Sequence, residues 1–579
     1  MYWEGEIMKR DNIKRFIEGA TGRQKVDLVV KGCKIVDVFN GKIIEGDLGV
    51  DNGVIVGIGP YEGREVFEGN GAYLLPGLID AHVHIESSHV EPRSFGKLLL
   101  PRGTTTVIAD PHEICNVAGL DGLDYMLESA KESPLSIFFM LPSCVPSTPF
   151  ETSGATLLAK DLAQRIEEAQ VLGLGELMDS VGTIGGVPSV IDKIALAKEH
   201  GKVIDGHSPQ VSGKDLNAYA GVGVLTDHEC TTVKELEERI ERGMYVLLRE
   251  GSATKDLKSL LPGVTPCNSH RCLLCTDDRQ PESILEEGHL DNHLRIAVSE
   301  GLDPITAIQM GTINAANCYS LHDRGAIAPG RRGDFILVDN LKDFNVAHVF
   351  VEGTLYREGE EEETLVPKEV ETKFNIKDFS IEKLRLPLKG NRIRAIGIIP
   401  DMVVTNSVEM EVKRDSKGYY QNNPSQDLVK LAVVERHHGT GNVGLALLSG
   451  YGLKRGAIAT TIAHDSHNII VAGDNDEDMV VAVESLKKIK GGIVIVRGGE
   501  LIDALPLPIG GLMTNQSGTF VREKLKAMQK IALEEFNIPR GIDPFMTLCF
   551  MALPVIPHLK VSDQGLFDVD QFKFVDLEV

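Results

Sequence analysis

No stretch of this 579-residue sequence reaches the roughly 18 apolar residues that a membrane-spanning helix needs. The opening segment MYWEGEIMKRDNIKRF carries no apolar signal core either, and the expected compartment is the cytoplasm. Basic charge is in short supply: 60 Lys and Arg stand against 84 Asp and Glu, a net charge of −24. A chain this acidic is ill suited to nucleic acid or to an anionic membrane, both of which are gripped by clustered Lys and Arg. The nine cysteines are an odd number scattered from Cys33 to Cys549, which reads as a reduced chain without a disulfide framework. Cys272-x-x-Cys275 has no second Cys-x-x-Cys to complete a zinc site. Low-complexity tracts are missing as well. What remains, 42% hydrophobic and 25% charged residues, is an ordinary globular composition. At ~150 residues per domain, the length suggests about three or four domains.

The texture of the chain changes along its length. Residues 1–22 read as a polar lead-in with helical character. From Val26 short β runs follow, with Asn52-Gly53 between two apolar stretches as a hairpin turn signal. Similar β texture returns in GDFILVDNL and VAHVFVEGTLYREG, within 333–359. We therefore expect one small β-sandwich domain built from both flanks, residues 1–75 and 323–365. Between them, 76–322 alternates short apolar runs with helical segments, as in TTTVIAD followed by GLDYMLESAKES, or VLGLGELM followed by VIDKIALAKEHG. Such alternation implies βαβ units and a parallel sheet. Roughly eight units in this length fit a (β/α)8 TIM-type barrel, with an open doubly wound sheet as the alternative. The charged stretch EEEETLVPKEVET (360–372) reads as a connector to a C-terminal α+β domain, 373–579. There we expect strands in IRAIGIIP, LVKLAVVE and GGIVIVRGG and helices in DEDMVVAVESLKKIK and REKLKAMQKIALEEF.

The chemistry is concentrated at the ends of the apolar runs in the middle segment. LLPGLID runs into His82-Val83-His84. On a strand, residues i and i+2 share a face, so the two imidazoles point together at the mouth where barrel active sites lie. Glu176 ends VLGLGELM, His207 ends KVIDGH, His228 ends GVLTDH, and Asp277 follows the run CLLC. A lone histidine is more often a core residue than a ligand. Six metal-capable side chains at equivalent ends of successive units are not explained that way. One tetrahedral ion needs only four ligands. Two divalent ions use all six: His82 and His84 on one, His207 and His228 on the other, Glu176 bridging and Asp277 completing a sphere. Two ions ~3.5–4 Å apart acidify a water held between them, and Asp277 is placed to shuttle its proton.

These motifs resemble the metal pattern of the amidohydrolase superfamily: HVHIESS on the first strand, an acid on the fourth, histidines on the fifth and sixth, Asp on the eighth. GAIAPGRRGDFILVD (325–339) is similar to the segment by which such chains return to their small β domain. HVHIESSHVEP, TTTVIADPHEICNV, LGLGELMD, DGHSP, CTDD, GHLDNH, TINAANCY and, late in the chain, GLKRGAIATTIAHDSHNIIVAG are closer to the adenine deaminase family, over about 25 to 515. The resemblance implies a hydrolase acting on a C–N bond of a cyclic amidine. Adenine and water would be its substrates, hypoxanthine and ammonia its products, and purine salvage its setting. It implies two divalent cations, Mn2+ or Fe2+ with Zn2+ as a further option, and attack at purine C6, with Asp277 and Glu176 as the catalytic pair. Many binuclear relatives bridge their metals with a carboxylated Lys where this chain has Glu176. The His-x-x-Glu of mononuclear deaminases is absent, since Ser208, Pro209 and Gln210 follow His207. So is the His-x-Glu…Pro-Cys-x-x-Cys set of zinc nucleobase deaminases.

A further group is read as contacting substrate or supporting the metals. Asp110, His112 and Glu113 follow the strand TTTVIAD; His289 lies just past the eighth strand; His464 and His467 sit in AHDSHNII, which either closes the pocket or forms a turn of its own domain. His293 suits a solvated helix face, and His437-His438 is a weaker candidate. Competing readings are a cyclic amidohydrolase of dihydroorotase or hydantoinase type, and a barrel scaffold without catalysis. A homodimer is the base-rate expectation for assembly.

Overall fold

A computed structural model describes residues 10–359, 364–400 and 402–579. The first nine residues of the expected lead-in and the first four of the acidic connector lie outside the described residues. The lead-in's helix spans Arg10–Ala20 and is fixed by Arg15, whose guanidinium pairs with buried Asp51 at 2.7 Å.

Eight parallel strands form the central barrel: β1 (Leu78–Val83), β2 (Thr104–Ala109), β3 (Ser136–Leu141), β4 (Val171–Leu177), β5 (Val203–Gly206), β6 (Thr226–Asp227), β7 (Tyr245–Arg249) and β8 (Cys272–Cys275). β1 to β5 pair in chain order, as do β6 to β8. Two seams close the ring. Leu225 N–H donates to the Ile204 carbonyl at 2.9 Å between β5 and β6. Beyond β8, Asp277 N–H donates to the His82 carbonyl at 3.0 Å and its own carbonyl accepts from His84 N–H at 3.2 Å. The barrel, not the open sheet, is formed. Its strands are largely buried because both faces are covered, a pattern of parallel sheets. Ile79, Ala81, Ile108, Met140, Leu247 and Leu273 make one apolar cluster with Tyr319. The residues between them join a larger cluster with the surrounding helices.

The small sheet draws strands from both flanks. Tyr73–Pro76, which leads into β1, lies between Val26–Asp37 and the returning strand Phe335–Val338. Asn52 and Gly53 have φ of 52° and 74° in the tight turn joining Lys42–Asp51 to Val54–Ile58. Positive φ at both central residues is the type I′ requirement, which explains the Asn-Gly pair.

The C-terminal sheet has eight strands. In spatial order they are Thr405–Glu411, Arg392–Ile398, Val443–Ser449, Leu428–Val434, Ile469–Gly473, Ala457–Thr460, Gly492–Arg497 and Glu500–Pro506. Successive side chains face opposite sides. Val494 and Val496 pack with Met479, Val483 and Leu486 of the helix Asp476–Lys488. Ile493 and Ile495 instead join the cluster that includes the barrel's outer layer. The sheet thus carries a helix on one face and turns the other toward the barrel, which places the segment after Thr460 over the β2 end. Among the described residues, no helix is long and apolar enough to cross a membrane.

Candidate metal centre

The other five strand-end side chains gather around Glu176. His84 Nε2 is 2.8 Å and His82 Nε2 3.3 Å from Glu176 Oε1; His207 Nδ1 is 2.8 Å and His228 Nε2 3.5 Å from Oε2. Asp277 Oδ1 lies 3.1 Å from His84 Nε2 and 3.6 Å from His82 Nε2. The two carboxylate oxygens of one buried glutamate therefore face two separate imidazole pairs. The rings of His82 and His228 stack at 4.1 Å, tying the pairs together.

These spacings suit metal coordination. Ligands ~2.1 Å from a tetrahedral ion sit about 3.4 Å from one another, and the contacts run from 2.8 to 3.6 Å. Glu176 Oε1 is buried and makes no hydrogen bond. Burial pushes a carboxyl toward neutrality; here the His84, His228 and His207 imidazoles outweigh it and hold Glu176 well below the usual range. His82 answers in kind: burial opposes its charge, but Asp277 and Glu176 raise it to about 10. The carboxylates require positive charge among them, whether protons or cations.

Neighbouring groups fix the ligands' orientation. His84 Nδ1 lies 3.0 Å from the Asp110 carbonyl, so Nδ1 carries the proton and Nε2 is free to face the cluster. The Asp110 side chain accepts from Glu176 N–H at 2.8 Å and from His112 N–H at 3.2 Å. A Cβ on Gly175 would stand 2.1 Å from Asp110 Oδ2, so only glycine fits there. His112 packs edge-on against His84 at 4.7 Å and reaches within 3.6 Å of Glu176 Oε1. Asp110 and His112 are thus placed as supports.

Glu113 turns instead toward the C-terminal domain. Its oxygens meet His464 Nδ1 and His467 Nε2 in short contacts. Ala463 N–H donates to His467 Nδ1 at 3.2 Å, which leaves the ring proton on Nε2, directed at Glu113. Burial opposes the charge of His464, yet Glu113 raises it to about 9. AHDSHNII is therefore in contact with the residues that follow β2. The His464 ring stacks on Phe550 at 4.6 Å and lines a cavity with Glu86, Asp278 and Phe545 beside the metal-capable cluster.

His289 does not reach the centre. Its Nε2 lies 3.2 Å from Asp80 and its Nδ1 2.8 Å from Thr104 Oγ1. Asp80 in turn accepts from the His82 and Thr276 N–H groups. The residue follows β8 in sequence, but its helix returns along the barrel wall, so it braces β1 from outside. His293 bonds the Cys275 carbonyl at 2.8 Å and is buried, not solvated. His437 and His438 bond the Ser466 and Ser153 carbonyls. The nine cysteines are free.

Arg249 escaped the sequence reading. It ends β7 and donates to Asp277 Oδ2 at 2.8 Å and Asp256 Oδ2 at 2.9 Å, with Glu229 as a third partner. Burial would push the Asp277 carboxyl up, but His82, His84 and Arg249 hold it well below its ordinary value. The strand-end rule that found the ligands marks Arg249 equally well, had it been applied to cations.

Comparison with known proteins finds relatives over the whole chain. The amidohydrolase family model matches residues 73–356 and the adenine deaminase C-terminal domain model matches 402–573. Adenine deaminase 2 of Desulfotalea psychrophila is 52% identical over 575 residues, covering 99% of this chain and 100% of the relative. Adenine deaminase of Ligilactobacillus salivarius is 49% identical, again over 99% and 100%. Among solved structures, a beta-aspartyl dipeptidase from Fervidobacterium islandicum aligns with 57% of this chain and 96% of its own, at 19% identity and a TM-score of 0.45. Amidohydrolases of this superfamily use divalent metal, and this chain carries side-chain groups suited to hold it. With both halves matched and full-length identity near one half, the chain belongs to the adenine deaminase family of the amidohydrolase superfamily.

Proposed function

We propose that the chain hydrolyses adenine to hypoxanthine and ammonia at a centre of two divalent cations. The observation that carries this reading is the division of Glu176, whose Oε1 faces His82 and His84 while Oε2 faces His207 and His228, in a chain 52% identical to an adenine deaminase. His82, His84 and Asp277 would hold one cation, His207 and His228 the other, with Glu176 between them. When bound, the pair supplies a water acidic enough to act as hydroxide near neutral pH.

The chain's own residues do the rest. Asp277 moves the proton: Arg249 occupies Oδ2 and leaves Oδ1 directed at the cluster. As water adds at C6, one of its protons ends on ring N1; Oδ1 carries the other from the added oxygen to the amino group, which departs as ammonia as the C6–O double bond forms. Glu176 fixes the spacing of the centre and stays ionised. The His464 segment closes the mouth and keeps bulk water from the reacting carbon. Imidazole and carboxylate ligands admit Mn2+, Fe2+ or Zn2+; the family likeness favours Mn2+ or Fe2+. Protein loaded with Mn2+ should release one ammonia per adenine consumed. Turnover of dihydroorotate or hydantoin with none of adenine would replace this reading with the cyclic-amide one.

A further inference from the structure

The cavity beside the cluster has a wall of mixed character. Ile462, Leu512, Phe545 and Phe550 make it apolar, and no Lys or Arg among the described residues lines it. Some of its polar groups are committed. Glu113 is held by His464 and His467, and Asp278 accepts from Ser87 Oγ. Two buried lining atoms have no hydrogen-bond partner: Glu86 Oε2 and His89 Nδ1. The imidazole takes either role by changing tautomer. A carboxylate oxygen buried without a partner is costly to leave so. Glu86 is 3% exposed. Its other oxygen accepts from Ile114 N–H at 3.1 Å, which fixes the carboxylate plane and leaves Oε2, on a residue that lines the cavity, without a partner.

A slot with apolar walls and an unpaired carboxylate oxygen calls for a flat ligand that presents an N–H. If the reacting C6 of a purine faces the metal-capable cluster, its five-membered ring points away from it, and that ring carries a single N–H in the free base. We propose that Glu86 is the specificity residue of this site, its Oε2 accepting the imidazole-ring N–H of adenine and so selecting the free base over N9-substituted purines. This rests on the adenine reading above and sharpens it.

The test compares adenine with 9-methyladenine, which has no ring N–H, in Mn2+-loaded wild type, Glu86→Gln and Glu86→Ala. A site built to bond an N–H rejects the analogue strongly. Wild type should prefer adenine by about 100-fold or more in kcat/KM. Glu86→Ala should lose about 100-fold on adenine while keeping wild-type metal content and should bring the two substrates to within about 10-fold of each other, whereas Glu86→Gln, whose amide oxygen still accepts, should keep a preference for adenine. Equal wild-type use of both, or a preference undiminished in Glu86→Ala, would overturn the assignment. Calorimetric binding of the same pair separates the two proposals. Tighter binding of adenine that is lost in Glu86→Ala upholds Glu86 even if no ammonia appears. Equal binding in wild type sinks Glu86 even if adenine is turned over.

Discussion

Asp277 is tied on one side to a guanidinium and on the other to two imidazoles, so its two oxygens have different work. Replacing it with Asn keeps size and one oxygen but removes the proton acceptor. Asp277→Asn should retain more metal than His82→Ala, while its turnover falls by about 100-fold or more. His82→Ala should lose metal and turnover together with the fold intact. Metal content, circular dichroism and ammonia release on the same preparations check this; native turnover in Asp277→Asn would remove Asp277 as the shuttle. At this scale the sequence was informative where one rule sufficed. A metal-capable side chain at the end of an apolar run marks Glu176 and the five residues gathered around it. Arg249 obeys the same positional rule but was passed over because only ligand types were sought. His289 follows a strand end and yet lies behind the wall, since the path of a helix after its strand is not written in local spacing.

Strand β4 shows how an element constrains its neighbour. Glu176 is aimed correctly because its N–H is held by Asp110 from the end of β2, and that approach needs bare backbone at Gly175. Gly175→Ala puts a methyl group 2.1 Å from Asp110 Oδ2. Overpacking of this kind typically costs about 1–3 kcal/mol, and here it also displaces the partner of Glu176. We expect a lower unfolding midpoint and reduced metal content together. A variant with native values of both would show that Asp110 does not orient Glu176. The barrel strands and the Asn52-Gly53 hairpin were legible because they carry local signals. The C-terminal strands were legible as strands, but their two faces were not. Ile493 to Val496 are all apolar, so no alternation in the sequence shows which residues meet the helix and which turn toward the barrel.

At the scale of the whole molecule, the C-terminal domain buries an ionisable group in its own interior. Lys560 is fully buried, its ammonium bonded to the Val403 and Phe550 carbonyls at 2.8 and 3.0 Å, and burial draws it down to about 7. An unfolded lysine titrates near ~10.4. Between those values the unfolded chain binds one more proton, so this group makes stability rise with pH above about 7 and has no such effect below it. Relative to Lys560→Met, the wild type should gain about 1–2 kcal/mol between pH 7 and 9 in denaturant unfolding. Parallel profiles would contradict a buried neutral amine. That the late AHDSHNII segment meets the residues that follow β2 could not be derived from sequence spacing. Glu113 and His464 are 351 positions apart, and only the packing of two domains brings them together.

The central claim is that Glu176 stands between two cations. Anomalous diffraction from crystals of the Mn2+-loaded protein tests it directly. The account predicts two peaks flanking the Glu176 carboxylate, one within bonding distance of His82 and His84 and the other of His207 and His228. A single peak, or none between those imidazole pairs, would contradict it.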